Sequence, residues 1–366
     1  MRVLVCPTAF KESLSASKAA AALEAGILQA WPEAEVRVLP LSDGGPGLLE
    51  SVGTVGDEGL ERVPTTGPLG EPVTARILWS RPGEVVVEAA ETCGLHLAPP
   101  ESRDPLRAET AGLGIVLSHC GESGAQQVVL GLGGSATVDG GTGMARALGW
   151  QFLDADGRPL PTGGGALMDL HNIVPPEDTS ASVAPDRGVP DTVALADVRS
   201  PLVGPQGAAR SFAAQKGAGP QEIELLEYGL TRLADVAARV LGLDVRDIPG
   251  SGAAGGLGAG CLLFLGAELL PGADWVLDRV GFDSELTAAD LLVTGEGAWD
   301  ATSELGKITE VVLARAAEAG VPSILLCGRI EGAVPAGVQA LGGDGGSWLD
   351  ADSISTLIAR RLGTDD

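Results

Sequence analysis

Four short segments of this chain follow one plan, in which an apolar run gives way to small residues and then to a lone charge. They are Pro7–Ser13 (PTAFKES), Ser42–Gly47 (SDGGPG), Gly133–Gly141 (GGSATVDGG) and Thr294–Lys307 (TGEGAWDATSELGK). This recurrence constrains the fold more than any other feature. In an open α/β sheet, ligands gather in the crevice beyond the carboxyl ends of the parallel strands, and glycine lets the backbone approach them closely. The four segments therefore describe one polar cleft.

The periodicity around them agrees. MRVLVCP reads as a buried strand, and the helix predicted from about Ser15 to Trp31 has Ala20, Leu23, Ile27 and Ala30 on one apolar face. EVRVLPL is a second strand, and strand, loop, helix, strand opens a parallel α/β sheet. From Val73 the pattern changes: TARILWS and VVVEAA flank a turn at Pro82–Gly83, the signature of a hairpin. That change predicts a second, mixed α/β domain, residues 66–285, inserted into a parallel-sheet domain of residues 1–65 and 286–366. Within the insertion we expect helices at Leu106–Cys120, Gly141–Leu148 and Gln221–Leu241, strands at QQVVLGL and DTVALADV, and a glycine-rich apolar helix from GSGAAGG through GAELL. Beyond it come the strand ADLLVTGEG, a helix over Lys307–Glu318 and the strand PSILLCG. Pro175–Pro190 reads as a surface loop and Gly337–Gly346 as a loose loop before a last helix.

A formal charge of -25 argues against a nucleic acid partner, which needs clustered cations. There is no uncharged apolar run of membrane-spanning length, and MRVLVCPTAF lacks the flanks of a signal peptide, so a cytoplasmic protein is expected. The five cysteines form no C-x-x-C pair and the three histidines have no metal-ligand spacing, which points to reduced thiols and away from zinc. Of 24 basic residues only Lys11, Lys18, Lys216 and Lys307 are lysine. Lys18 falls in a surface helix. The other three, as compact point charges, suit contacts to phosphate or a proton relay.

The loop GLGGSATVDGG is not a dinucleotide fingerprint. Ala136 takes the third glycine position, a replacement the fingerprint tolerates, but Thr137 and Asp139 arrive too early for a ribose contact. Phosphoryl transfer needs cations, backbone N–H groups, carboxylates for a metal and a base for the acceptor hydroxyl. Lys11, Lys216, Lys307, two glycine-rich loops and Asp43, Asp139, Asp197, Glu296 and Asp300 supply that set. GEGAWDATSELGKIT lacks P-loop spacing, and G-x-S-x-G is absent, which removes a standard P-loop enzyme and a serine hydrolase. Asp139 suits a helix N-cap as well as a ligand, and Asp43 suits a turn. Asp197 ends an apolar strand, where an unpaired carboxylate is costly.

In this order, FKESLSA, SDGGPG, GLGGSATVDGGTGM, DVRSPLVGPQG, FAAQKGA, GSGAAGGLGAG and VTGEG with Asp300 and Gly306–Lys307 resemble the bacterial type I glycerate kinases, from Met1 to about Gly328. The resemblance implies ATP-dependent phosphorylation of glycerate, giving 2-phosphoglycerate, or of a related small hydroxy acid. It implies Mg2+ and a cleft between a Rossmann-like domain and the inserted domain. On this chain we assign Lys11, Asp43, Asp197 and Lys307 to catalysis. Gly133, Gly134, Ser135, Thr137, Lys216, Gly295 and Gly297 are assigned to phosphate or nucleotide binding, and Asp139, Glu296 and Asp300 to metal. A homodimer is the assembly held open. The chain departs from the resembled pattern at Thr8, Pro46, Ala111, Val138, Ser200, Ala298 and Thr302, usually aspartate, glutamate, tyrosine, asparagine, asparagine, arginine and glutamine. Those departures motivate a rival reading, a relative that binds a metabolite or nucleotide without turnover or acts on a shifted substrate.

Overall fold

The computed structural model describes residues 1–10, 13–53, 59–176, 189–299, 307–342 and 349–363. It is the expected α/β protein. The chain divides into two compact units, Met1–Asp43, Glu50–Thr54 and Gly272–Asp366 in the first, and Gly44–Leu49 and Val55–Pro271 in the second.

Among the described residues of the first unit, five parallel strands run in the order Val338–Gly342, Ser323–Ile330, Leu291–Trp299, Arg2–Val5, Glu35–Val38. The helix Ala16–Ala30 begins where the Ser15 side chain accepts the Lys18 N–H, and Pro32 follows soon after its end. It buries Ala19, Ala20, Leu23 and Ile27 at 0% exposure. It crosses the helix Ala351–Leu362 so closely that a Cβ on Gly26 would lie 2.4 Å from the Ser355 carbonyl, so glycine alone fits there.

The second unit holds a six-stranded sheet in the order Glu268–Pro271, Asp191–Ala196, Gln127–Gly131, Glu84–Glu88, Pro72–Arg81, Leu60–Thr66, parallel through Glu84–Glu88 and antiparallel beyond it. Val85, Val86 and Val87 are all fully buried, so this strand is covered on both faces, as parallel strands usually are. The carboxyl ends of three adjacent parallel strands carry Glu88, the loop after Gly131, and Asp197. This is the crevice position of an open sheet.

Several expectations are corrected. Leu60–Thr66 pairs in register with Pro72–Arg81, which draws it into the second unit and moves the expected boundary at residue 65. Gly272–Arg279 and Phe282–Thr287 belong to the first unit, where Arg315 bonds Asp274 at 2.8 Å and Asp283 at 3.0 Å, so the boundary at 285 moves as well. The glycine-rich helix stops earlier than GAELL: a π-helical turn, Cys261–Leu265, ends at left-handed Gly266, and Glu268–Pro271 is an edge strand. Val338–Gly342, expected as loop, is also an edge strand; edge residues lack a second partner and need no strong alternation. Most of the Pro175–Pro190 loop lies outside the described residues. No helix among the described residues is long and apolar enough to cross a membrane.

Candidate active site

Leu132–Gly141 leaves the central strand of the second unit and is pinned at its start. Leu132 N–H donates to the Leu195 carbonyl at 3.1 Å and Ala136 N–H to Cys93 at 2.7 Å, while Leu95 N–H reaches the Gly134 carbonyl at 2.8 Å. Between those anchors, among the described residues, the N–H groups of Gly133, Gly134 and Ser135 have no acceptor. Three successive uncommitted donors on one short loop are what an anion-binding nest requires.

Lys216 reaches the same loop. Its side chain is buried, 3% exposed, and Nζ donates to Ser135 Oγ at 2.9 Å and to the Thr137 carbonyl at 2.7 Å. An ammonium has three donors, so one stays uncommitted. Burial draws the Lys216 ammonium down to about 8, opposed by the neighbouring Cys93 and Asp139. The Thr137 hydroxyl is fully buried, makes no hydrogen bond of ordinary geometry, and lies close to the Cys93 thiol, which burial pushes up to about 12. Gly133, Gly134, Ser135, Thr137 and Lys216, expected together from sequence, are thus brought together.

Asp139 differs from its expected role as a metal ligand. At 0% exposure, its Oδ2 accepts from Thr110 N, Thr110 Oγ1 and Gly143 N at 3.0, 2.9 and 3.0 Å, and Oδ1 accepts from Gly141 N at 3.1 Å. Of the roughly four lone-pair positions of a carboxylate, those of Oδ2 are shared by three donors, and Oδ1 takes one. Asp139 therefore ties the loop to the start of the helix Thr142–Ala147 and to Thr110, close to the capping alternative. Thr110 in turn receives Met144 N–H at 2.8 Å.

The turn Gly44–Leu49 packs against this loop from behind. Ideal Cβ atoms on Gly131, Gly133 and Gly134 would lie 2.3 Å from the Gly44 carbonyl, 2.6 Å from Gly45 Cα and 2.6 Å from Pro46 Cγ. The turn is held by Glu88, whose Oε1 accepts Gly47 N–H at 3.1 Å and Leu49 N–H at 2.9 Å. Sequence reasoning missed both Thr110 and Glu88. The signal for Glu88 was present, since it ends the apolar strand VVVE just as Asp197 ends its own.

The remaining assigned residues fall in both units. Asp197 is half-buried after its strand, and Asp43 is half-buried beside Ser42 in the first unit. Gly295, Glu296 and Gly297 lie inside the strand Leu291–Trp299, which runs two residues beyond the expected ADLLVTGEG, and Glu296 is 8% exposed. Gly295 has a packing reason to be glycine: a Cβ there would lie 2.5 Å from the Leu326 carbonyl. Its own carbonyl accepts Thr8 N–H at 2.9 Å. Lys307 stands at the N-cap of the helix Ile308–Ala319, the end where the helix dipole disfavours a cation and favours an anion. Ala298 pairs in register with Arg329 of the next strand. Lys11 and Asp300 lie outside the described residues. Among the described residues no three of His, Cys, Asp and Glu come together as a metal cage.

Comparison with known proteins identifies the family. A profile of the glycerate kinase family matches residues 3–344. The glycerate kinase of Bacillus subtilis (strain 168) is 43% identical over 333 residues, covering 90% of this chain and 85% of that protein. The glycerate 2-kinase of Escherichia coli (strain K12) is 41% identical over 314 residues, 84% of this chain and 80% of the relative. A solved structure described as glycerate kinase 2 from Salmonella typhimurium LT2 superposes with a TM-score of 0.78 at 33% identity, covering 100% of this chain and 98% of that one. The chain belongs to the glycerate kinase family.

Proposed function

We propose that this protein is an ATP-dependent kinase that phosphorylates glycerate to 2-phosphoglycerate. Family membership carries kinase chemistry, an alcohol acceptor and nucleotide use with it. The position of the phosphorylated hydroxyl rests on the Escherichia coli relative, a glycerate 2-kinase. The observation that carries the reading on this chain is the row of uncommitted N–H groups at Gly133, Gly134 and Ser135 beside buried Lys216.

Backbone donors and an ammonium in a water-poor site stabilise the charge that spreads over a transferring phosphoryl group. Gly133, Gly134, Ser135 and Lys216 take that role, with the Thr137 hydroxyl as a further donor. Lys11 and Lys307 offset the remaining charge. Asp197, or Asp43, accepts the proton of the attacking hydroxyl as its oxygen bonds to the γ-phosphorus, and ADP departs with the electrons of the broken P–O bond. Mg2+ is usually held by one or two carboxylates together with substrate phosphates and water, so its chemistry of charge neutralisation arrives with the nucleotide. Glu296 and Asp300 are the carboxylates we assign to it, and Asp139, fully buried and engaged by four donors of its own surroundings, is not.

The test is purified protein with ATP, Mg2+ and D-glycerate, reading ADP release and locating the new phosphate ester by phosphorus NMR. ADP together with a 2-phosphate ester is expected. ADP release with other hydroxy acids or polyols but not with glycerate would overturn the substrate, and ligand-induced thermal stabilisation without turnover on any of them would overturn the kinase reading.

A further inference from the structure

We propose that Glu88 is a positioning residue for the phosphate cradle: by gripping the Gly47 and Leu49 N–H groups it fixes the Gly44–Leu49 turn on which Gly131–Gly134 rests, and this grip depends on Glu88 ionisation. Packing carries the clamp itself. Glu88 is 3% exposed, and both of its hydrogen bonds go to the turn. The turn supplies the Gly44 carbonyl, Gly45 Cα and Pro46 ring that the cradle glycines pack against with no room for a side chain. Loosening the turn removes the backing of the loop whose N–H groups must stay aligned.

The surroundings of Glu88 carry its dependence on ionisation. The turn itself, Gly-Gly-Pro-Gly-Leu-Leu, has no titratable side chain. The charges facing Glu88 are Glu91, from the helix Ala90–Cys93, and Arg76, from the strand Pro72–Arg81. Those two bond each other at 2.6 Å and so largely offset one another at Glu88. What remains is burial, which raises the Glu88 carboxyl to about 7 against the pull of its two backbone hydrogen bonds. An ionised carboxylate accepts N–H groups more strongly than a neutral one, so the grip tightens as pH rises through neutrality.

The inference rests on the phosphate-binding reading of Gly133–Ser135. Its kinetic arm compares KM for ATP in the wild type, Glu88→Gln and Glu88→Ala between pH 5.5 and 8.5. Glutamine keeps an acceptor and loses the charge. We expect Glu88→Gln to match the wild type at pH 5.5 and to show a KM about threefold higher at pH 8.5, with Glu88→Ala about tenfold higher throughout. The nucleotide titrates identically in all three, so it cannot produce the difference. A Glu88→Gln profile that follows the wild type at every pH overturns the ionisation half. The second arm needs no turnover: hydrogen exchange of the 44–49 amides is expected to be slow in the wild type and in Glu88→Gln, and faster in Glu88→Ala. Unchanged exchange in Glu88→Ala overturns the clamp. A slow-exchanging turn in a protein that does not phosphorylate glycerate would instead count against the functional reading alone. Should Glu88→Ala fail to fold, Glu88→Gln at pH 8.5 decides the ionisation half, and Gly47 and Leu49 amides that exchange freely in the wild type overturn the clamp.

Discussion

Lys216 and Ser135 meet at 2.9 Å inside the second unit, an ammonium and a hydroxyl with the lysine only 3% exposed. Burying an ammonium with no carboxylate bonded to it is unfavourable, and the cost shows in the fall of Lys216 to about 8 despite the nearby Asp139. An anion at the cradle would reverse that fall. ATP binding at pH 8.5 is therefore expected to take up protons, measured by calorimetry in buffers of different ionisation enthalpy. The lysine charge is present below pH 8 and lost above it, so kcat/KM for ATP falls as pH rises through about 8. Lys216→Met should flatten this limb and lower kcat/KM by roughly 10²- to 10³-fold, the usual loss for one preorganised donor. Lys216→Arg should not rescue it, because a planar guanidinium fork does not reproduce the point-charge geometry that meets Ser135 Oγ and the Thr137 carbonyl together. A wild-type profile in Lys216→Met would remove the lysine from the site.

Asp139 is a stability prediction in a residue that sequence reasoning placed at a metal. Replacing it by alanine leaves four buried donors, at Thr110, Gly141 and Gly143, without acceptors. At about 1–3 kcal/mol for each unsatisfied group, the loss should exceed about 3 kcal/mol and appear as a lowered urea midpoint in the absence of Mg2+. If Asp139 were chiefly a ligand, the variant would unfold like the wild type without the ion and differ only with it.

The case of Asp139 shows which part of the site the sequence could carry. Residue types and order placed Ser135, Thr137 and Lys216 together although Lys216 is 79 residues beyond Thr137 in sequence, because glycine spacing and lysine scarcity are local signals. Whether a carboxylate faces solvent or the donors of its own loop depends on the backbone path of Gly140–Gly143, which local pattern does not specify. The same limit hid the packing reason for glycine at Gly295, which answers to the neighbouring Leu326 carbonyl. Glu88 was legible by the argument applied to Asp197, but its partner is a turn some 40 residues earlier, a contact that only the sheet order creates.

Glu88 also carries a pH-dependent stability with a definite sign. Its folded value near 7 stands above the ordinary 4.5. A carboxyl raised in this way favours the folded state below the unfolded value, and that contribution is lost as pH rises through about 7. Glu88→Gln removes the titration. It should therefore be more stable than the wild type at pH 8.5 by about 3 kcal/mol, at roughly 1.4 kcal/mol for each step of one between the folded and unfolded values, and equal to it near pH 4.5. Urea unfolding at the two pH values provides the measurement, and equal midpoints at pH 8.5 would show that burial is not what raises the group. Greater stability and weaker nucleotide binding in one variant at one pH is the combination expected of a charge retained for position.

Gly255 joins the cradle to the helix start behind it. It has φ +71°, and a Cβ there would sit 1.9 Å from the Thr137 carbonyl, the oxygen that accepts Lys216. Gly157 offers the contrast, with φ +78° and nothing within 4 Å of an added Cβ. Alanine at Gly157 meets only the backbone penalty of the left-handed region, about 1–2 kcal/mol. Alanine at Gly255 adds a collision that must displace either its own segment or the Thr137 carbonyl. Gly255→Ala is therefore expected to lower the thermal midpoint further than Gly157→Ala and to raise KM for ATP, while Gly157→Ala leaves KM unchanged. Equal effects of the two substitutions on both readings would mean that the Thr137 carbonyl moves freely, and that Lys216 is not held by the contact described here.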